Sequence, residues 1–383
     1  MPDRDDLKEI YNRYHEEVLA LEKLIIQGNC VFLIGAGCSR IANLPLMADL
    51  TKKVLESSKL SEKSKNILKE VSKQFKGARD SNIEDYLSDI IDYLSIIDRR
   101  QNRGIDDQSL RIGDQSVSCT DLRTALKEIK KGIAEAIQNP GNKTDIRVHR
   151  SFVKSIHRPT RPGKQKNTGI ATYINLNYDT LLEDALALEK IPFYDGIDGG
   201  ATGWWNFDKF NHKDVGTKVL KLHGSIDWTQ VDNDPLPRRV ASEKSYNVTN
   251  EQVMIWPAST KYRETQIDPF AQLLALARNA LRSENQSEKV LVVLGYSFSD
   301  AHINSEIDRA LKNSSGSLTI VVLTSFDGPC GDLKKWHNDA SIKDQIRIYA
   351  NKGFYHGNEE RSSQTDLLWW KFENFVKLIR GDL

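Results

Sequence analysis

Apolar side chains at Leu7, Ile10, Tyr11, Tyr14, Val18, Leu21, Leu24 and Ile25 recur at steps of three and four, which predicts an amphipathic helix over 5–27 that stops at Gly28. The pattern then changes to the continuous apolar run Val31-Phe-Leu-Ile34, a buried strand, which ends in Gly35-Ala-Gly-Cys-Ser39. After Ser39 strand character is lost for more than a hundred residues, and helical spacing governs 46–57, 62–74, 83–97, 120–137 and 145–156. Short apolar runs return at 171–176, 219–222, 253–256, 290–294, 318–323 and 346–349. They are rich in β-branched residues and separated by helical segments, as expected of parallel strands covered on both faces. The expected fold is therefore α/β, a parallel sheet with helices on both faces and a helical insertion lobe.

The chain divides accordingly into 1–45, the first helix, strand and glycine turn; 46–165, the inserted lobe; and 166–383, the rest of the α/β domain with its C-terminal helix. The stretch 157–169, HRPTRPGKQKNTG, mixes prolines, glycines and cations and reads as a solvent-exposed connector. The last helix, near 365–380, puts Leu368, Phe372, Phe375, Val376 and Ile379 on one face, with Trp369 and Trp370 adding apolar area. That face serves either the chain's own core or a second subunit.

Composition narrows the functional classes. A chain of 383 residues with 39% hydrophobic content fills one large core or two ordinary ones. Its 54 basic and 53 acidic side chains nearly cancel, so it lacks the footprint of a dedicated nucleic-acid or membrane-surface binder. Neither a long apolar run nor an apolar leader appears in MPDRDDLKEI and beyond, and the expectation is a cytoplasmic protein. Cys30, Cys38, Cys119 and Cys330 are scattered, with no C-x-x-C pair for zinc and no disulfide framework.

The candidate chemistry lies where apolar runs end. A strand that ends in glycines and opens onto a helix offers backbone N–H groups to a phosphate, and Gly35 and Gly37 let that backbone bend. Ser39 either caps the helix or reaches a phosphate oxygen. Alone, Gly-Ala-Gly serves equally as a bare strand-to-helix turn, and Arg40 stands where a third fingerprint glycine would fall. Three further clusters share the placement: Asn175-Leu-Asn177-Tyr-Asp179, Leu220-Lys-Leu-His223-Gly224-Ser225 and Leu294-Gly295-Tyr-Ser297-Phe-Ser299-Asp300. Carboxyl ends of strands are where doubly wound sheets collect ligands.

The set GAGCS at 35–39, NYD at 177–179, HG at 223–224 and GYSFSD at 295–300, in that order, resembles the sirtuin-like NAD-binding family, and its prokaryotic NAD-hydrolysing, anti-phage branch more than the protein deacylases. The resemblance implies a Rossmann-like fold in which Gly35, Ala36, Gly37, Ser39, Gly295 and Ser297 hold NAD, while Asn177 and His223 face its nicotinamide ribose. It further implies NAD as substrate, a homo-oligomer, and a HerA-like ATPase partner, with nucleic acid involved only indirectly. The cysteines cannot supply the paired C-x-x-C zinc module of the deacylases, and Leu176 replaces the polar residue those enzymes carry beside the asparagine.

Splitting the bond between nicotinamide and ribose builds positive charge on the sugar and needs few groups. Asn177 offers a donor and an acceptor on a short side chain, suited to orienting water or ribose hydroxyls. Asp179 either polarises a ribose hydroxyl or caps the helix beginning near Thr180. His223 is the general-base candidate, because imidazole titrates near neutral pH. Ser297 and Ser299 suit phosphate or adenosine-ribose oxygens, Asp300 suits a helix cap, and Trp204 and Trp205 serve either the core or a pocket wall. The expected activity is NAD glycohydrolase. Its alternatives are a sirtuin-type deacylase or ADP-ribosyltransferase, and a non-catalytic NAD or ADP-ribose binding module. A dehydrogenase fits less well, because the third glycine and a ribose-binding acid are missing.

Overall fold

The computed structural model describes residues 4–27, 29–75, 81–105, 109–157, 171–200, 202–212, 215–231, 234, 236–239, 252–255, 268–282 and 288–381. Most of the connector expected over 157–169 therefore lies outside the described residues, as does Trp256.

The first half of the chain runs through α1 (Arg4–Arg13), α2 (His15–Gln27), β1 (Asn29–Ile34), α3 (Met47–Leu55), α4 (Glu62–Ser72), α5 (Ile83–Gln101), β2 (Ser109–Ile112), β3 (Gln115–Ser118), α6 (Cys119–Gln138) and α7 (Arg147–His157). Next come β4 (Thr172–Asn175), α8 (Leu181–Leu188), β5 (Phe193–Tyr194), β6 (Ile197–Gly199), β7 (Gly203–Trp205), β8 (Thr217–Lys221), β9 (Gly224–Gln230), β10 (Arg238–Arg239) and β11 (Gln252–Ile255). The chain closes with α9 (Phe270–Leu281), β12 (Lys289–Leu294), α10 (Ala301–Asn313), β13 (Leu318–Leu323), α11 (Gly331–Asn338), β14 (Ile346–Ala350), β15 (Gly353–His356), β16 (Glu359–Ser362) and α12 (Phe372–Arg380).

One sheet of nine strands, ordered β16-β15-β14-β13-β12-β1-β4-β8-β5, forms the centre. It is parallel from β14 to β5, with the hairpin β15–β16 added antiparallel at one edge. β1 occupies the middle. The chain builds outward from it to β4 and β8, then returns to its other side at β12, so the direction of building reverses beside β1. A doubly wound sheet opens a crevice at such a reversal, beyond the carboxyl ends of the strands.

Alternation along the buried strands divides the core into two layers. Val31 and Leu33 face the side packed by α9, α10 and α11, whereas Phe32 and Ile34 face α1, α2, α7, α8 and α12. The α/β architecture with helices on both faces thus follows from the apolar runs. Trp369, Phe372 and Phe375 are all buried in the second layer, so the apolar C-terminal face covers the chain's own sheet. Its helix starts at Phe372, later than the spacing predicts. Among the described residues, no helix is long and apolar enough to cross a membrane.

The helix expected over 5–27 is two, α1 and α2, and two expectations about strands also need correction. The run at 253–256 is absent from the parallel sheet: Gln252–Ile255 pairs antiparallel with β9 in a separate five-stranded sheet, β11-β9-β10-β7-β6. Burial selects for apolar residues whatever the strand direction, so the run alone does not report its partner. The inserted region also contains strands. β2 and β3 form a hairpin around Gly113-Asp114, and they pack with α3 to α6 into a third core containing Leu50, Ile67, Leu87, Ile97, Ile129 and Ile133.

Candidate functional site

The glycine turn after β1 is held by its neighbour in the sheet. Gly35 N donates to Leu294 O and Gly37 N to Gly295 O, both at 2.9 Å. A Cβ on Gly35 would overlap the carbonyl of Gly295, and one on Gly37 would sit 2.8 Å from Gly295 Cα. Gly295 itself has φ +62, which side chains rarely adopt, and faces Cys38 from the other side. These glycines are needed because two backbones touch.

A helix was expected after this turn, but the structure has two three-residue 3₁₀ turns, Ala36–Cys38 and Arg40–Ala42, ended by Asn43 at φ 67. The amides of Gly35, Gly37, Cys38 and Ser39 are used inside the protein. Ala36 and Gly37 form the exposed lip. Ser39 makes no side-chain cap. Its buried hydroxyl donates to Asp179 Oδ2 at 2.7 Å and receives Asn177 Nδ2 at 2.9 Å.

Asn177 follows β4. Its Nδ2 also donates to Gly35 O at 3.1 Å, and its backbone N donates to Asn175 Oδ1 at 3.0 Å. These bonds fix the amide's orientation, since Gly35 O only accepts. The opposite end, Oδ1, is buried with no hydrogen-bond partner. Asp179 accepts from Leu181 N at 3.1 Å, a capping-type bond at the start of α8, in addition to its bond from Ser39.

His223 lies after β8, with its ring centroid 6.3 Å from that of Tyr178. Its Nε2 is 3.3 Å from Asp300 Oδ2, and both side chains are buried. Asp300 uses its other oxygen to cap α10, accepting from His302 N at 3.0 Å and Ile303 N at 3.4 Å. Sequence supports the cap; the approach to His223, across distant strands, leaves no local signal. Ser297 and Ser299 stand exposed, with their hydroxyls 2.9 Å apart.

The four loops therefore touch in a closed ring. The glycine turn meets the Asn177 loop through Ser39, and that loop meets the His223 loop through Ile226 N to Tyr178 O at 2.9 Å. The His223 loop meets the 295–300 loop through Asp300, and the 295–300 loop returns to the glycine turn through Gly295.

Lys221 was not expected here. It is wholly buried at the end of β8, donates to the carbonyl of Asp179, and lies 3.1 Å from Glu183 Oε1. Burial pushes the Glu183 carboxyl up to about 7, with Lys221 opposing the rise. A cation between Leu220 and Leu222 in a strand buried on both faces is the signal that would have found it. Trp205 is buried and bonds Gln272 at 2.8 Å, whereas Trp204 is half exposed. The cysteines stay apart, and burial pushes the Cys30 thiol up to about 12 and that of Cys38 higher still.

Residues 171–344 match the family model described as the SIR2-like domain. The matched stretch holds Asn177, Asp179, His223, Gly295 and Ser297, and begins after the glycine turn and the inserted lobe. The match supports a sirtuin-like family and, with it, NAD-related activity. No curated protein matches the chain.

Proposed function

We propose that the chain is an NAD glycohydrolase, splitting NAD into nicotinamide and ADP-ribose with Asn177 and His223 as its catalytic side chains. Gly35, Ala36, Gly37, Ser39, Asp179, Gly295 and Ser297 shape the dinucleotide site on this reading. The observation that carries it is the buried Oδ1 of Asn177, which has no partner although its amide is locked from behind. An unsatisfied buried acceptor costs about 1–3 kcal/mol. That cost is retained where a ligand or its water makes the missing bond.

In the proposed reaction the C1′–N bond breaks, and nicotinamide leaves with the bonding electrons. Positive charge develops on the ribose, water adds at C1′, and one proton is released. Asn177 Oδ1 accepts from a ribose hydroxyl or from the incoming water. His223 takes the released proton, and the carboxylate of Asp300, 3.3 Å away, steadies the imidazolium. The resemblance of the ordered motifs at 35–39, 177–179, 223–224 and 295–300 to the anti-phage branch implies a defence role. In it the chain depletes NAD on phage infection, as a homo-oligomer working with a HerA-like ATPase.

Free nicotinamide is measured from purified wild type, Asn177→Ala and His223→Ala incubated with NAD, with and without the ATPase and an acylated peptide. The expected result is peptide-independent release by wild type and loss in both variants. Equal release by all three, or none from wild type even with the ATPase, overturns the proposal. Release that requires the peptide indicates a deacylase instead.

A further inference from the structure

Tyr178 stands between Asn177 and Asp179, but its side chain runs away from theirs: the ring passes beside His223, with centroids 6.3 Å apart, and reaches into the inserted lobe. The phenol is buried in the core of the inserted lobe, alongside Leu50, Leu87 and Ile133. Its hydroxyl donates to Glu84 Oε1 at 2.8 Å, in the first turn of α5. Its carbonyl receives Ile226 N at 2.9 Å and Ser225 Oγ at 3.4 Å, from just beyond His223.

The far end of this connection is rigid. Asn82 and Asp85 form a reciprocal capping box at the start of α5. Ile83 N donates to Thr51 Oγ1 of α3 at 2.9 Å. The first turn of α5, which carries Glu84, is thus tied to α3 through Ile83, while Tyr178 is bonded through its carbonyl to the strand that follows His223. The start of α5 is capped by Asn82 and Asp85 without Glu84's carboxylate, which leaves that carboxylate to receive the Tyr178 hydroxyl.

We propose that Glu84, acting through Tyr178, is a positioning residue that makes the inserted lobe part of the support for Asn177. The Tyr178–Glu84 bond sets the loop's register against the glycine turn, and any displacement of α5 is felt at the Asn177 amide. The lobe is in this sense a handle on the site, so whatever binds it acts on turnover before it acts on NAD affinity. The kinetic part of this inference rests on the hydrolase reading; the mechanical part does not.

Tyr178→Phe, Glu84→Ala and Glu84→Gln are prepared in the full chain. Two measurements are made: hydrogen exchange of the amides at 176–181, and kcat and KM for nicotinamide release. Tyr178→Phe and Glu84→Ala are expected to speed exchange at 176–181 about tenfold, the effect of losing one net hydrogen bond. They are also expected to lower kcat by a similar factor with KM within twofold. Glu84→Gln keeps an acceptor and is expected to match wild type in both. Wild-type exchange in Tyr178→Phe, or a Glu84→Gln variant as impaired as Glu84→Ala, overturns the proposal. If wild type releases no nicotinamide, the hydrolase reading has failed, and the exchange measurement alone decides the positioning role.

Discussion

The hydroxyl of Ser39 donates to Asp179 at 2.7 Å across a separation of 140 residues, while accepting the amide of Asn177 at 2.9 Å. One small side chain thereby joins the glycine turn to both polar ends of the Asn177 loop. Ser39→Ala leaves a buried carboxylate and a buried amide each short of one bond. The expected loss of unfolding free energy is about 1–3 kcal/mol by denaturant titration, with nicotinamide release falling alongside.

Asp300→Asn separates the two roles of Asp300. Asparagine still accepts from His302 N and Ile303 N, so the start of α10 and the melting temperature should change little. The negative charge 3.3 Å from His223 Nε2 is gone, and kcat is expected to fall about tenfold or more. His223→Ala should cost about 10²- to 10⁴-fold. A variant Asp300→Asn that melts early yet turns over normally would contradict the assignment.

Gly35→Ala forces a methyl into the carbonyl of Gly295, a backbone neighbour with no room to withdraw. Destabilisation of about 2–4 kcal/mol is expected, in the range of other overpacked or strained core sites. Gly104→Ala provides the comparison, because φ +76 is strained there but nothing lies within 4 Å. It should cost about 1 kcal/mol. Equal losses for the two variants would remove the close approach as the reason for Gly35.

His149, on α7, is buried with Nδ1 unpartnered. Burial holds its imidazole down at about 4 against an ordinary 6.5, with Asp179 and Asp145 opposing. The unfolded chain takes up this proton below pH 6.5 and the folded one does not. Stability from this group is therefore full above pH 6.5 and is lost as pH falls toward 4, by about 3 kcal/mol. His149→Phe should flatten that part of the unfolding free energy against pH; an unchanged slope would assign the loss to other groups.

Much of the site was legible because burial and chemistry coincide at strand ends. Val31 to Ile34 and Val290 to Leu294 are apolar until the residue where a glycine turns the chain outward, so Gly35 and Gly295 mark both the strand limits and the site. Contacts between segments left no such mark. Tyr178 and Glu84 fit ordinary apolar and helix-starting positions, and only the fold brings them within 2.8 Å. Ser39 showed a hydroxyl in sequence, but its direction depends on Asp179 and Asn177. The β2–β3 hairpin was signalled by Gly113-Asp114 between two alternating runs, a pattern masked by the surrounding helices.

The central position of β1 governs when the molecule becomes whole. Val31 pairs with Thr172 and Asn29 with Lys289, so the strand emerges from the ribosome long before either flank exists. Gly35 waits for Leu294, and His223 waits for Asp300. Pairings this distant in the chain close late. A nascent polypeptide that has not reached 294–300 therefore lacks two of the contacts that close the ring of loops, Gly35 with Leu294 and His223 with Asp300.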